Sequence, residues 1–145
     1  MKTAADLEDV RELLPAVVLE LADLIGYRHT LTLIERLGGV TFPVGKNIRH
    51  SGNRRADVLA DTLPDSAVAH VVARFGGESL YIPRCAAALR ELRNRRFLVE
   101  YHALRGRGES GRFALMLLCP RFGFSDRYAQ RLIARNDSND QLPLF

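Results

Sequence analysis

One pattern occurs twice in this chain, and it limits the folds open to it. Leu33-Ile-Glu-Arg-Leu-Gly-Gly-Val-Thr-Phe-Pro-Val44 lines up with Val71-Val-Ala-Arg-Phe-Gly-Gly-Glu-Ser-Leu-Tyr-Ile82, thirty-eight residues on. Arg36 matches Arg74, both Gly-Gly pairs coincide, and the apolar pairs fall in step. Helix, Gly-Gly, short strand is therefore an internal duplication. A short strand exposes unpaired backbone groups and needs a neighbour. Residues 40–44 can pair antiparallel with 79–83 of the same chain, as a pseudo-two-fold ribbon through Val40, Phe42, Leu80, Tyr81 and Ile82. The alternative is a homodimer. Pro43 confines its strand to an edge or a strand end.

Helical spacing dominates the rest, so the fold class is mainly α. Asp6 to Leu13 reads as a short, acidic, peripheral helix. Ala16, Val17, Leu19, Leu21, Leu24 and Ile25 make the next helix apolar on most sides and hence central. Pro15 suits its first turn, and Gly26 ends it. Thr30 to Leu37 forms another helix, and Asp65 or Ser66 caps the helix of the second copy. Cys85 to Tyr101 is a strong helix carrying Arg90, Arg93, Arg95 and Arg96. The polar, basic stretch 46–55 reads as a loop. Residues 105–111 are rich enough in glycine to form a mobile connector.

The run Arg112 to Arg135 reads as helix, tight turn, helix. Leu115, Leu118 and Phe122 lie on one face. Gly123 supplies a left-handed turn position, Phe124 returns to the core, and Ser125 is an N-cap. Pro120 predicts an early end or a kink in the first helix. Ala129, Leu132 and Ile133 give the second helix its inner face. Arg127, Gln130, Arg131 and Arg135 share its outer side. Two helices joined this way are the helix-turn-helix unit, whose second helix can enter a major groove. Arginine can bind guanine through two hydrogen bonds and glutamine can bind adenine likewise, while spare arginines hold phosphate. Ser125, Arg127, Gln130 and Arg131 are the candidate base readers, and Arg112, Arg121 and Arg135 the candidate phosphate contacts.

Charge supports that assignment. The net charge of +4 conceals an asymmetry: residues 84–135 hold twelve arginines against four acids, whereas residues 1–83 hold nine basic against eleven acidic side chains. A basic block around a helix-turn-helix pattern is the footprint expected for double-stranded DNA. Enzyme chemistry has no such support. No acid–base pair, nucleophile motif, phosphate-cradling loop or metal-ligand spacing occurs, so neither cofactor nor metal is expected. Cys85 and Cys119 lack a CxxC spacing and read as reduced, buried thiols. With no long apolar run and no signal-peptide core, no membrane contact is expected and the protein should be cytoplasmic.

Gly76-Gly77-Glu-Ser-Leu-Tyr-Ile-Pro-Arg84, then Leu89-Arg-Glu-Leu-Arg-Asn-Arg-Arg96, then Arg121-Phe-Gly-Phe-Ser-Asp-Arg-Tyr128, resembles the Mor transcription activator family of bacteriophages and prophages. The resemblance covers about 14–135. It implies a dimerisation module of helices plus a short strand, and a C-terminal helix-turn-helix on operator-like DNA beside a promoter. It also implies activation through contact with RNA polymerase. By it, Arg127, Gln130 and Arg131 occupy recognition-helix positions, and Leu80, Tyr81 and Ile82 the dimer strand. The expected organisation is a duplicated module over 1–101, a connector over 102–112, the helix-turn-helix over 113–135 and a flexible tail over 136–145. That tail ends in Gln141-Leu-Pro-Leu-Phe145, which resembles the pentapeptide that binds the bacterial sliding clamp. Gln141, Leu142, Leu144 and Phe145 would make the contacts, giving a second reading as a DNA-associated adaptor recruited to the clamp.

Overall fold

The structure, a computed structural model, describes residues 6–46 and 57–141, with the side chains of 139–141 excepted. It divides into two compact units, one of Asp6–Leu89 and one from Arg90 onward. The elements are a 3-10 helix (Leu7–Leu13), α1 (Ala16–Leu37), β1 (Val40–Pro43), α2 (Val58–Thr62), α3 (Asp65–Phe75), β2 (Ser79–Ile82), α4 (Ala86–Gly106), α5 (Gly111–Phe122) and α6 (Asp126–Gln141).

In the first unit α1 packs against the 3-10 helix, α2, α3 and β2. Gly26 interrupts α1 at φ 85 and ψ 159, a conformation open essentially to glycine alone. The break divides α1 at the position where the sequence ends one helix. The chain then resumes helical geometry, and Thr30 donates its hydroxyl to the Gly26 carbonyl at 2.9 Å. The N-terminal segment is not peripheral. Leu7 and Val10 are wholly buried, and an Asp6–Asp9 capping box fixes its start. A 3-10 turn sets residues three apart on one side, so these two apolar side chains both reach the core.

The two copies of the repeat superpose in their backbone angles. Gly38 (φ −58, ψ 128) matches Gly76 (φ −55, ψ 131), and Gly39 (φ 87) matches Gly77 (φ 84). Each first glycine donates its N–H to the carbonyl four residues back, Gly38 to Ile34 at 2.9 Å and Gly76 to Val72 at 2.8 Å. β1 and β2 pair antiparallel within the chain, Val40 opposite Ile82, Thr41 opposite Tyr81, Phe42 opposite Leu80 and Pro43 opposite Ser79. Phe42, Leu80 and Ile82 point into the core, while Val40 and Tyr81 stay exposed.

A Cβ at Gly38 would lie 2.5 Å from the Ile34 carbonyl oxygen, and one at Gly76 would lie 2.5 Å from that of Val72. Those carbonyls accept the closing hydrogen bonds, so alanine must open the turn. Gly38→Ala and Gly76→Ala are each expected to cost about 1–3 kcal/mol, the usual range for overpacking, and by similar amounts. Urea denaturation of the two variants checks this, and a neutral result at either position would break the equivalence of the copies.

In the second unit three sequence boundaries shift. α4 runs past Tyr101 to Gly106, so the stretch 105–111, expected to be a mobile connector, comprises the end of α4, a short turn and the first residue of α5. Gly108, at φ 92, reverses the chain. Gly108 N–H bonds to Arg105 O at 3.0 Å and Glu109 N–H to Leu104 O at 3.1 Å, so the last carbonyls of α4 are satisfied. Ser110 then caps α5 by accepting from Phe113 N–H at 3.1 Å. Pro120 does not end α5, which continues to Phe122. The carbonyl it leaves without a donor belongs to Met116, on the exposed side, where water can serve.

Residues 136–141 differ from the flexible tail expected over 136–145. α6 continues through Gln141, so residues 136–141 are helix and not tether. Asn136 is half-buried and hydrogen-bonded to the His102 ring at 3.1 Å, a contact between α6 and α4. Leu142, Leu144 and Phe145 lie outside the described residues, as does most of the 46–55 loop.

Candidate nucleic-acid interface

Phe97 of α4 is wholly buried and organises the second unit. Its ring meets Phe122 edge-on at 5.5 Å, Phe124 at 5.1 Å and Tyr101 at 6.1 Å. Leu115, Leu118, Cys119, Ala129 and Leu132 complete that core. The corner between α5 and α6 is built as its residues dictate. Gly123 adopts the left-handed conformation (φ 70, ψ 28), and its N–H bonds to Cys119 O. Phe124 N–H reaches the same carbonyl at 3.0 Å. Ser125 Oγ accepts from Tyr128 N–H at 3.1 Å, filling one of the orphan donors at the start of α6.

That start is also fastened to α4. Tyr128 donates its hydroxyl to Asn94 Oδ1 at 2.9 Å, and Asn94 is buried. The Arg93 guanidinium lies 4.8 Å above the Phe124 ring, a cation–π contact. The Asn94–Tyr128 bond was not anticipated from sequence, although one signal existed. Asn94, Phe97 and Tyr101 are spaced three and four apart, so a polar side chain sits on an apolar face and requires a partner. Tyr128→Phe would leave that buried amide oxygen without its donor and is expected to cost about 1–2 kcal/mol. A thermal melt reads the loss, and an unchanged midpoint would show that the bond does not anchor α6.

On α6 the candidate site residues divide into two groups. Arg127, Arg131 and Arg135 repeat every four residues as one exposed stripe. Among the described residues no carboxylate pairs with them. Gln130, also exposed, lines an open cleft of about 790 Å³ whose other walls include Tyr101, Arg112, Met116, Asp126 and Asp137. The cleft carries both signs of charge, which suits phosphate less well than the arginine stripe does. Ser125 is committed to its cap. Arg121 is held by Glu100 at 3.0 Å, so part of its charge is already answered within the protein. Arg112 and Arg135 are exposed.

The thiols offer no reactive group. Burial pushes the Cys119 thiol up, with the Asp126 carboxylate adding to it, and burial does the same to the half-buried Cys85. Both stay protonated at neutral pH. Among the described residues no cluster of His, Cys, Asp or Glu could hold a metal, and no helix is long and apolar enough to cross a membrane.

A family model described as the Mor transcription activator family matches residues 31–141, most of the chain and both of its units. No curated protein and no solved structure matches.

Proposed function

Because the chain belongs to the Mor transcription activator family, whose members are DNA-binding activators of transcription, we propose that α5, the Gly123 turn and α6 are its helix-turn-helix. In this reading α6 lies in a major groove and distinguishes sequence. Arg127, Gln130 and Arg131 contact base edges, with Ser125 holding the start of the helix, and Arg112, Arg121 and Arg135 contact phosphates. The chain then acts on a phage or prophage promoter together with the host RNA polymerase.

The observation that carries this reading is the arginine stripe of α6. Its three exposed cations have no carboxylate partner among the described residues and are available for an external polyanion. The rigid corner, tied through Tyr128 and Arg93, allows them to be presented in a fixed orientation. Bidentate reading depends on such fixed geometry, whereas nonspecific attraction does not.

The test is selection of genomic fragments by the purified protein, followed by a footprint on the enriched sequence. A shared motif with a protected promoter-proximal segment is expected, and binding should weaken steeply with salt. Recovery of fragments without a common motif would leave only nonspecific binding.

A further inference from the structure

The first unit is related to itself by a pseudo-two-fold axis, and that symmetry bears on what the chain binds. Displacement by thirty-eight residues carries Phe42 onto Leu80, and these two face each other across the ribbon. The axis therefore passes between them. The same operation exchanges two hydrogen bonds: Gly39 N–H to Ile82 O at 2.6 Å, and Gly77 N–H to Val44 O at 2.9 Å. It also exchanges two cations. The Arg84 side chain crosses the Gly39 turn, where a Cβ would lie 2.6 Å from its Nε, and Lys46 crosses the Gly77 turn, where a Cβ would lie 3.4 Å from its Cε. Arg84 and Lys46 are themselves thirty-eight residues apart.

A homodimer with an isologous interface has these features, since each contact then occurs twice with the partners' roles reversed. Here both halves belong to one chain. The edge along which β1 would recruit a second subunit is occupied by β2. The register, with Val44 N–H bonded to Glu78 O at 2.9 Å, directs position 43 toward the open edge. Pro43 has no N–H to offer there. The second copy continues into α4 and the α5–α6 corner, whereas the first continues into α2 and α3. Among the described residues the pseudo-dimeric core is thus accompanied by one such corner.

We infer that the chain serves as its own dimerisation partner, and that its DNA target is a single asymmetric half-site read by one chain, not an inverted repeat read by two. The inference rests on the DNA-reading role proposed above and narrows the class of target.

Two measurements on the full chain test it. Thr41 and Tyr81 face each other with exposed side chains, and antiparallel partners lie about 4.5–5.5 Å apart between Cα atoms, within disulfide range. Oxidised Thr41→Cys/Tyr81→Cys is expected to run as a monomer on a non-reducing gel. A covalent dimer, absent from either single variant, would show that the strands are exchanged between chains and would overturn the inference. The wild-type chain needs no cysteine substitution for the second measurement, the mass of its complex with the selected duplex. One chain per duplex and an enriched motif without dyad symmetry are expected. Two chains on an inverted repeat would overturn the inference while leaving the DNA-reading role intact. Enrichment of no motif would remove that role and the half-site with it, while the gel would still decide where the strands pair.

Discussion

Phe97→Ala is expected to lower the unfolding free energy of the second unit by about 3–5 kcal/mol, the range for truncating a buried aromatic side chain. The side chain is wholly buried, and its ring touches aromatic partners from α4, α5 and the corner. A unit of this size holds roughly 3–8 kcal/mol in total at typical per-residue stability. The variant therefore sits near or beyond its threshold at physiological temperature. Helix content in α5 and α6 should fall, and amide exchange there should accelerate, while amides of the β1–β2 ribbon keep their protection. Met116→Ala supplies the contrast. Met116 is 68% exposed, and its truncation should change stability by no more than about 0.5 kcal/mol. If the two variants melt together, Phe97 is not the organising residue of this core. A Phe97→Ala chain that keeps its α5–α6 protection would lead to the same conclusion.

How much of this was legible in the sequence differs from element to element, for physical reasons. The α5–α6 corner was readable because its determinants are local. Glycine at a left-handed position, serine at a cap and apolar residues three and four apart act within one or two turns of themselves. The ribbon was readable because the duplication states its own symmetry, and symmetry fixes the register once one pair is matched. The end of α6 was not readable. Asn136 to Asp140 have poor helix propensity, and the contact of Asn136 with His102, thirty-four residues away, is not visible in the local sequence. The turn after α4 misled for the opposite reason. Its glycines suggest mobility, yet Gly108 is there because closing the last turn of a helix requires a positive φ. Within the candidate site, composition showed which side chains were cationic. It did not reveal that Arg121 is paired with Glu100 or that Gln130 borders a cleft, because both depend on packing between distant segments. Nor did it show that Asn94 receives the Tyr128 hydroxyl.

The second large effect concerns charge. Arg127→Glu and Arg131→Glu should each weaken DNA binding by about 1–3 kcal/mol, and the double variant by on the order of 10²–10⁴-fold at low salt. Both side chains are exposed on one stripe of α6, so the melting temperature should barely move. That separates them from Phe97→Ala, which loses binding through unfolding. Salt dependence then distinguishes the roles. Each phosphate contact contributes about 0.9 to the slope of log affinity against log salt. Arg135→Ala should flatten that slope by about one unit and weaken all duplexes alike. Arg131→Ala should leave the slope nearly unchanged and erode discrimination between the selected motif and its variants. Arg121→Ala should have the smallest effect of the three, because Glu100 already compensates its charge. If the double reversal binds the selected duplex as tightly as the parent chain does, the stripe faces away from DNA. The reading surface would then have to be sought on the arginines of α4, where Arg93 is stacked on Phe124 and Arg95 is paired with Glu91.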